Sequence, residues 1–181
     1  EYEVYQLLAC SGAETPPKNR LLTRGERFSD EALTALPGDR SVLKIVSPAI
    51  IHKTEVGGVR IVKKEANKIR STVRRMFYEV PEDYAAWVRD QDLAGPYRGL
   101  TGKSLVTAVA RDIKGVLLVQ YMPPDSQAFG NELIVGLRHT REFGTILSAG
   151  LGGTDTELYA RRFRKGQAIV AASTAMEDGP G

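Results

Sequence analysis

Apolar and polar positions along this chain switch between a two-residue and a helical period. Val42–Val46 is almost wholly apolar and β-branched, the signature of a buried strand. Ser47-Pro48 ends it, because proline lacks the N–H that a ladder needs. Gly58–Val62 starts a second strand. Glu65–Phe77 then spaces Ile69, Val73, Met76 and Phe77 along one helical face. Lys68, Arg70, Arg74 and Arg75 lie outside, a basic face read as solvated. Glu1–Cys10 puts Val4, Leu7 and Leu8 on one helical face, with Gly12 as its stop. Thr15-Pro16-Pro17 is an extended breaker. Ser29 caps a short helix carrying Leu33 and Leu36, closed by Pro37-Gly38.

Tyr84, Trp87 and Val88 predict a separate helical turn before Pro96, and Leu105, Val109 and Ile113 another helix. Val116–Met122, Asn131–Leu137 and Gly144–Ala149 predict three more strands. Leu137–Glu142 is a polar hairpin turn, and the tail after Arg164 has weak helical character. Helices interleave with strands, then strands dominate. The pattern is α/β (α+β) with two lobes, and Pro123-Pro124 is a natural hinge.

Composition narrows the function. At 42% hydrophobic and 26% charged, the 181 residues suit an ordinary soluble globular protein. The net charge of +3 fits a small anionic ligand. No basic run with interleaved aromatics points to nucleic acid, and no apolar stretch spans a bilayer. Cys10 is the sole cysteine, which fits a reducing compartment. The chain begins at Glu1 without methionine and ends Asp178-Gly179-Pro180-Gly181, so both ends are expected to be cut from something longer.

The chemistry centres on Lys44. A lysine inside an apolar strand is costly unless its ammonium meets an anion. The loop after it offers His52, Lys53, Thr54 and Glu55, then Gly57-Gly58. Paired glycines let backbone N–H groups turn toward an oxyanion. Such a set suits a nucleotide's phosphate tail. The plainer reading is a hairpin with an edge lysine. GPYRGLTGKS, from Gly95 to Ser104, imitates a phosphate loop, but Tyr97 stands where the motif needs glycine and no strand precedes it.

Several motifs in order carry a family resemblance: EYEVYQLLACSGAETPP, LKIVSPAIIHKTEVGGV, VLLVQYM, NELIVGL and FGTILSAGLGGTDTEL. Together they resemble the ATP-grasp domain of NDP-forming acyl-CoA synthetases, the acetate–CoA ligase (ADP-forming) group. The resemblance implies an ATP-grasp-like fold of two lobes with the nucleotide site between them and a truncated C-terminal part. Residues 1–122 would be the N-terminal lobe, with 78–115 unassigned, and 123–181 an incomplete second lobe.

The resemblance also implies roles. Lys44 holds nucleotide phosphates, and Gly57 and Gly58 belong to the loop that folds over them. Gln120, Tyr121 and Met122 form a hinge whose backbone reads adenine, although the family often has an acid or other polar residue at Tyr121. Glu132 accepts from ribose hydroxyls. Gly152 and Gly153 form a further glycine loop. His52 carries a phosphoryl group, and its imidazole is available as a neutral nucleophile near pH 7. His139 has no such motif around it and reads as solvated. Glu157 is an auxiliary metal acid, the main Mg2+ ligands being expected beyond Gly181. ATP/ADP and Mg2+ are the implied cofactors, with CoA bound in a partner domain. The partners are CoA-binding and ligase domains, in the same protein or a partner subunit, and a small-molecule acid. Nucleic acid and membrane are not expected, and the location is cytoplasmic. The rival is a non-catalytic nucleotide-sensing module fused to a protein acetyltransferase.

Overall fold

The computed structural model describes residues 2–12, 16–89, 96–123, 132–152 and 169–173. The chain divides into two units, Glu1–Met122 and Pro123–Gly181. The first runs α1 (Tyr2–Ser11), β1 (Asn19–Leu22), α2 (Asp30–Thr34), β2 (Arg40–Val46), β3 (Val59–Lys63), α3 (Ala66–Arg89), α4 (Gly102–Asp112) and β4 (Gly115–Gln120). Its strands bond in the order β1-β4-β2-β3, every neighbouring pair antiparallel. β2 is therefore an interior strand, which overturns the edge-lysine reading.

Burial alternates along β2. Ser41, Leu43 and Ile45 are buried, whereas Val42, Lys44 and Val46 are half-buried. Leu43 and Ile45 join Ile69, Met76 and Val80 of α3 and Leu105 and Val109 of α4 in the core. The other face carries Lys44, so the strand's two-residue period separates the packing side from the chemical side. Ser41 is the exception on the packing side: its buried hydroxyl has no hydrogen-bond partner. Ser41→Ala is expected to hold or raise stability by up to about 1 kcal/mol in chemical denaturation, since an unpaired buried hydroxyl is lost. A loss beyond that would mean that the hydroxyl has a partner.

Two predicted helices prove to be one. α3 spans 24 residues and continues through Pro81 to include Tyr84, Trp87 and Val88. Proline removes the N–H that the Phe77 carbonyl would accept. The Arg24 guanidinium donates to that oxygen instead, at 3.3 Å. It also lies 4.7 Å from the Phe77 ring centroid. The unassigned segment 78–115 is thus largely the second half of α3 plus α4, with 90–95 outside the described residues. Tyr97 ties α4 to the turn before it, donating its hydroxyl to Asp112 at 2.9 Å. Burial, aided by that carboxylate, pushes the Tyr97 phenol up from its ordinary value.

Other boundaries moved for local reasons. α1 forms, but Val4 and Leu7 stay exposed. α2 starts where expected, the Ser29 hydroxyl accepting the Ala32 N–H at 3.2 Å. β1 is four residues long, too short to show a period, and exists by pairing with β4. The second unit is the antiparallel sheet β5 (Leu133–Thr140), β6 (Gly144–Leu151) and β7 (Ile169–Ser173). β7 replaces the weak helix expected there. β5 runs into the polar segment, leaving a turn of Arg141–Phe143, because the Thr140 hydroxyl accepts the Phe143 N–H at 3.1 Å and donates to the Gly144 carbonyl at 3.2 Å. Among the described residues, no helix is long and apolar enough to cross a membrane.

Candidate phosphate-binding site

Lys44 lines a cavity of about 300 Å³ in the first unit. Lys53 and Lys114 line it too, against one carboxylate, Glu3, with Ser47, Pro48 and Leu117 among the rest. Three lysines against one glutamate give this small cavity a positive lining that suits an anion. Each reaches the site differently. Lys44 opposes Leu117 across the β2–β4 ladder. Lys114 is brought in by the same pairing, its N–H donating to the Val46 carbonyl at 2.8 Å. Lys53 comes from the loop after β2. In the sequence Lys53 is only part of that loop and Lys114 carries no motif, because its nearness to Lys44 depends on a pairing between distant strands.

The loop is fastened at both ends. Ile50 and Val56 are buried in the core, and the Ile45 N–H donates to the Gly58 carbonyl at 2.8 Å. Gly57 has φ of +63°, a left-handed turn that favours glycine. The Gly57 N–H donates to the Thr54 carbonyl at 3.2 Å and the Gly58 N–H to the Lys53 carbonyl at 2.7 Å. The expectation that these N–H groups face an oxyanion is therefore not met in this conformation: they close the turn that carries Lys53. A Cβ at Gly58 would stand 2.8 Å from the Lys53 carbonyl oxygen. Gly58→Ala is accordingly expected to cost about 1 to 3 kcal/mol of stability, read by thermal denaturation. An unchanged melting temperature would mean that the loop packs otherwise. From the far side, Arg60 donates to the Gly57 carbonyl at 3.0 Å and pairs with Glu79 of α3 at 2.7 Å.

His52 does not line the lysine cavity. Its imidazole rests against Trp87 of α3, with ring centroids 5.2 Å apart, and Nδ1 is 3.7 Å from a Glu55 oxygen. Half of the His52 side chain is exposed, 51%. Trp87, which the sequence presents only as a helical apolar position, supplies the ring against which His52 rests.

Gln120 ends β4 beside Ser41, three residues along the strand from Leu117, or roughly 10 Å at a strand's rise. Its N–H donates to the Lys18 carbonyl at 2.8 Å. Tyr121 follows half-buried and Met122 exposed. In the second unit the Glu132 side chain is exposed, and its carbonyl accepts the Gly152 N–H at 2.7 Å. His139 is exposed on β5, with Nδ1 3.5 Å from the Thr145 hydroxyl. Gly153 and Glu157 lie outside the described residues. Among the described residues no group of three or more His, Cys, Asp or Glu could hold a metal ion. Glu55 stands against His52, and Glu79 binds Arg60 and Arg75.

Residues 1–89 match the family model described as ATP-grasp domain. Over those residues the chain is similar to an ATP-grasp domain. That match covers Lys44, His52 and the glycine turn, so the resemblance read from the motifs and the family model agree. The chain is 30% identical over 159 residues to an acetate–CoA ligase [ADP-forming] of Methanocaldococcus jannaschii, covering 87% of this chain and 18% of the relative. It is 30% identical over 117 residues to the acetate–CoA ligase [ADP-forming] I subunit beta of Pyrococcus furiosus, covering 65% of this chain and 38% of that one. Among solved structures it is similar to the dinucleotide forming acetyl-coenzyme A synthetase 1 of Ca. Korarchaeum cryptofilum in complex with coenzyme A, Ca-AMPCP and HgCl+. The TM-score there is 0.54 at 24% identity, covering 96% of this chain and 59% of the other. At that identity the likeness is one of fold. The chain spans well under half the length of the two curated relatives.

Proposed function

We propose that this chain is the nucleotide-binding ATP-grasp part of an ADP-forming acyl-CoA synthetase. The observation that carries the reading is the three-lysine cavity built on interior strand β2, directly before the loop that bears His52. Lys44, with Lys53 and Lys114, neutralises the nucleotide phosphates. The Gly57-Gly58 turn holds the loop that closes over them. The backbone of Gln120, Tyr121 and Met122 reads the adenine edge. Glu132, Gly152 and Gly153 keep the ribose and phosphate roles that the resemblance implies.

The reaction is a relay. In the ligase domains phosphate displaces CoA from an acyl-CoA, giving an acyl phosphate. A histidine there takes the phosphoryl group and releases the acid. The group passes to His52, then to ADP, making ATP and restoring the neutral imidazole. The reverse direction activates a small-molecule acid. Magnesium accompanies the nucleotide in this reading, but the described residues do not assemble a site for it, and Glu157 stays the proposed auxiliary ligand. The CoA-binding and ligase domains are partners in the same protein or another subunit, and the location is cytoplasmic.

The test is made on the complete protein with acyl-CoA, ADP and phosphate. Equimolar release of CoA and formation of ATP is expected. Separately, ATP at a hundred times its Kd is expected to add about 2.7 kcal/mol of stability. Absence of both sinks the reading.

A further inference from the structure

The basic face of α3, read from sequence as solvated, is partly folded into a second cavity of about 630 Å³, which shares no lining residue with the lysine cavity. One wall is the turn between β1 and α2, with Arg24, Arg27 and Phe28; the other is α3, with Arg70, Arg74 and Tyr78. Four guanidinium groups face one carboxylate, Glu26, in this lining. Arg70 and Arg74 are four apart on one helix and so share a face.

The four arginines are not equivalent. Arg70 is tied to the Asp30 carboxylate and the Asn67 and Phe28 oxygens. Arg24 is tied to the Phe77 carbonyl. Glu26 accepts from the Thr23 hydroxyl. Arg27 and Arg74 are exposed and have no hydrogen-bond or ion-pair partner among the described residues. Two uncommitted guanidinium groups therefore meet at a cavity whose other two hold its walls in place. Their planar forks match phosphate oxygens. Phe28 and the Tyr78 ring, 66% exposed, give flat apolar surface beside them. The volume lies within the range of small-molecule sites.

We propose that this cavity is a second anion site, separate from Lys44, for a phosphorylated metabolite of nucleotide size. Arg27 and Arg74 hold its phosphates, and Phe28 and Tyr78 flank its base. The proposal stands whether or not the relay operates.

The experiment is calorimetric titration of the complete protein with inorganic pyrophosphate and with ADP. The proteins are the wild type, Lys44→Met and the double variant Arg27→Gln/Arg74→Gln. Two classes of site are expected in the wild type. The double variant should lose one class, its Kd rising at least tenfold, with its melting temperature and its nucleotide KM unchanged. Lys44→Met should keep that class and lose the other. At the retained class, ADP should bind at least fivefold tighter than pyrophosphate. Binding unchanged in the double variant, or a single class abolished by Lys44→Met, overturns the second site. Equal affinities for the two probes overturn the nucleotide assignment.

Discussion

His52→Ala in the complete protein is expected to lower turnover by at least about a thousandfold, the scale of losing a covalent carrier. Its nucleotide Kd should stay within about threefold. The split follows from the geometry: the imidazole lies against Trp87, outside the lysine cavity, so truncating it leaves the phosphate-holding groups in place. A second readout separates carrier from bystander. Wild-type protein incubated with labelled acyl phosphate should hold acid-labile, base-stable phosphate on the peptide that contains His52 as well as on the ligase-domain histidine, and the variant only on the latter. Turnover within tenfold of wild type, or no label on the His52 peptide of the wild type, ends the carrier role. The same protein would then be a nucleotide site without a stop at this residue.

Lys44→Met should lower kcat/KM for the nucleotide by roughly a hundredfold or more, as removal of one preorganised charge from a phosphate site does. The methionine keeps the length and apolar stem of the side chain, so β2 and its packing face should survive. An unchanged KM and kcat would place the phosphates elsewhere, even if the fold persists. Lys114→Met is the milder counterpart, since it keeps the backbone N–H that ties the start of β4 to β2.

Local chemistry was legible in the sequence, and long-range pairing was not. Val42–Val46 with its lysine, the glycine turn and the helix starting near Glu65 could be read from period and punctuation alone. That β2 lies between β4 and β3 could not, and this is what distinguishes Lys44 from an edge lysine. Lys114 was invisible for the same reason. The glycines were read correctly as a turn, but the direction of their N–H groups was not, because Lys53 and Thr54 accept them within the loop. α3 was split in two by a local rule about proline, whereas Arg24, far away in sequence, supplies the missing donor. β1 and β7 are short and owe their form to partners. The arginine cavity was hidden because an exposed helix face and a face closed over by a turn have the same pattern.

Pro81 leaves α3 with one missing rung, bridged by a side chain from another element. A rod weakened at one point bends there first. The stretch before it is anchored on the sheet through Ile69 and Met76. The stretch after it is packed in the same core through Tyr84 and Ala85 and bears Trp87, against which the His52 imidazole rests. Removing the Arg24 side chain would therefore leave the Phe77 carbonyl without that donor, in the middle of the helix that carries Trp87 to His52.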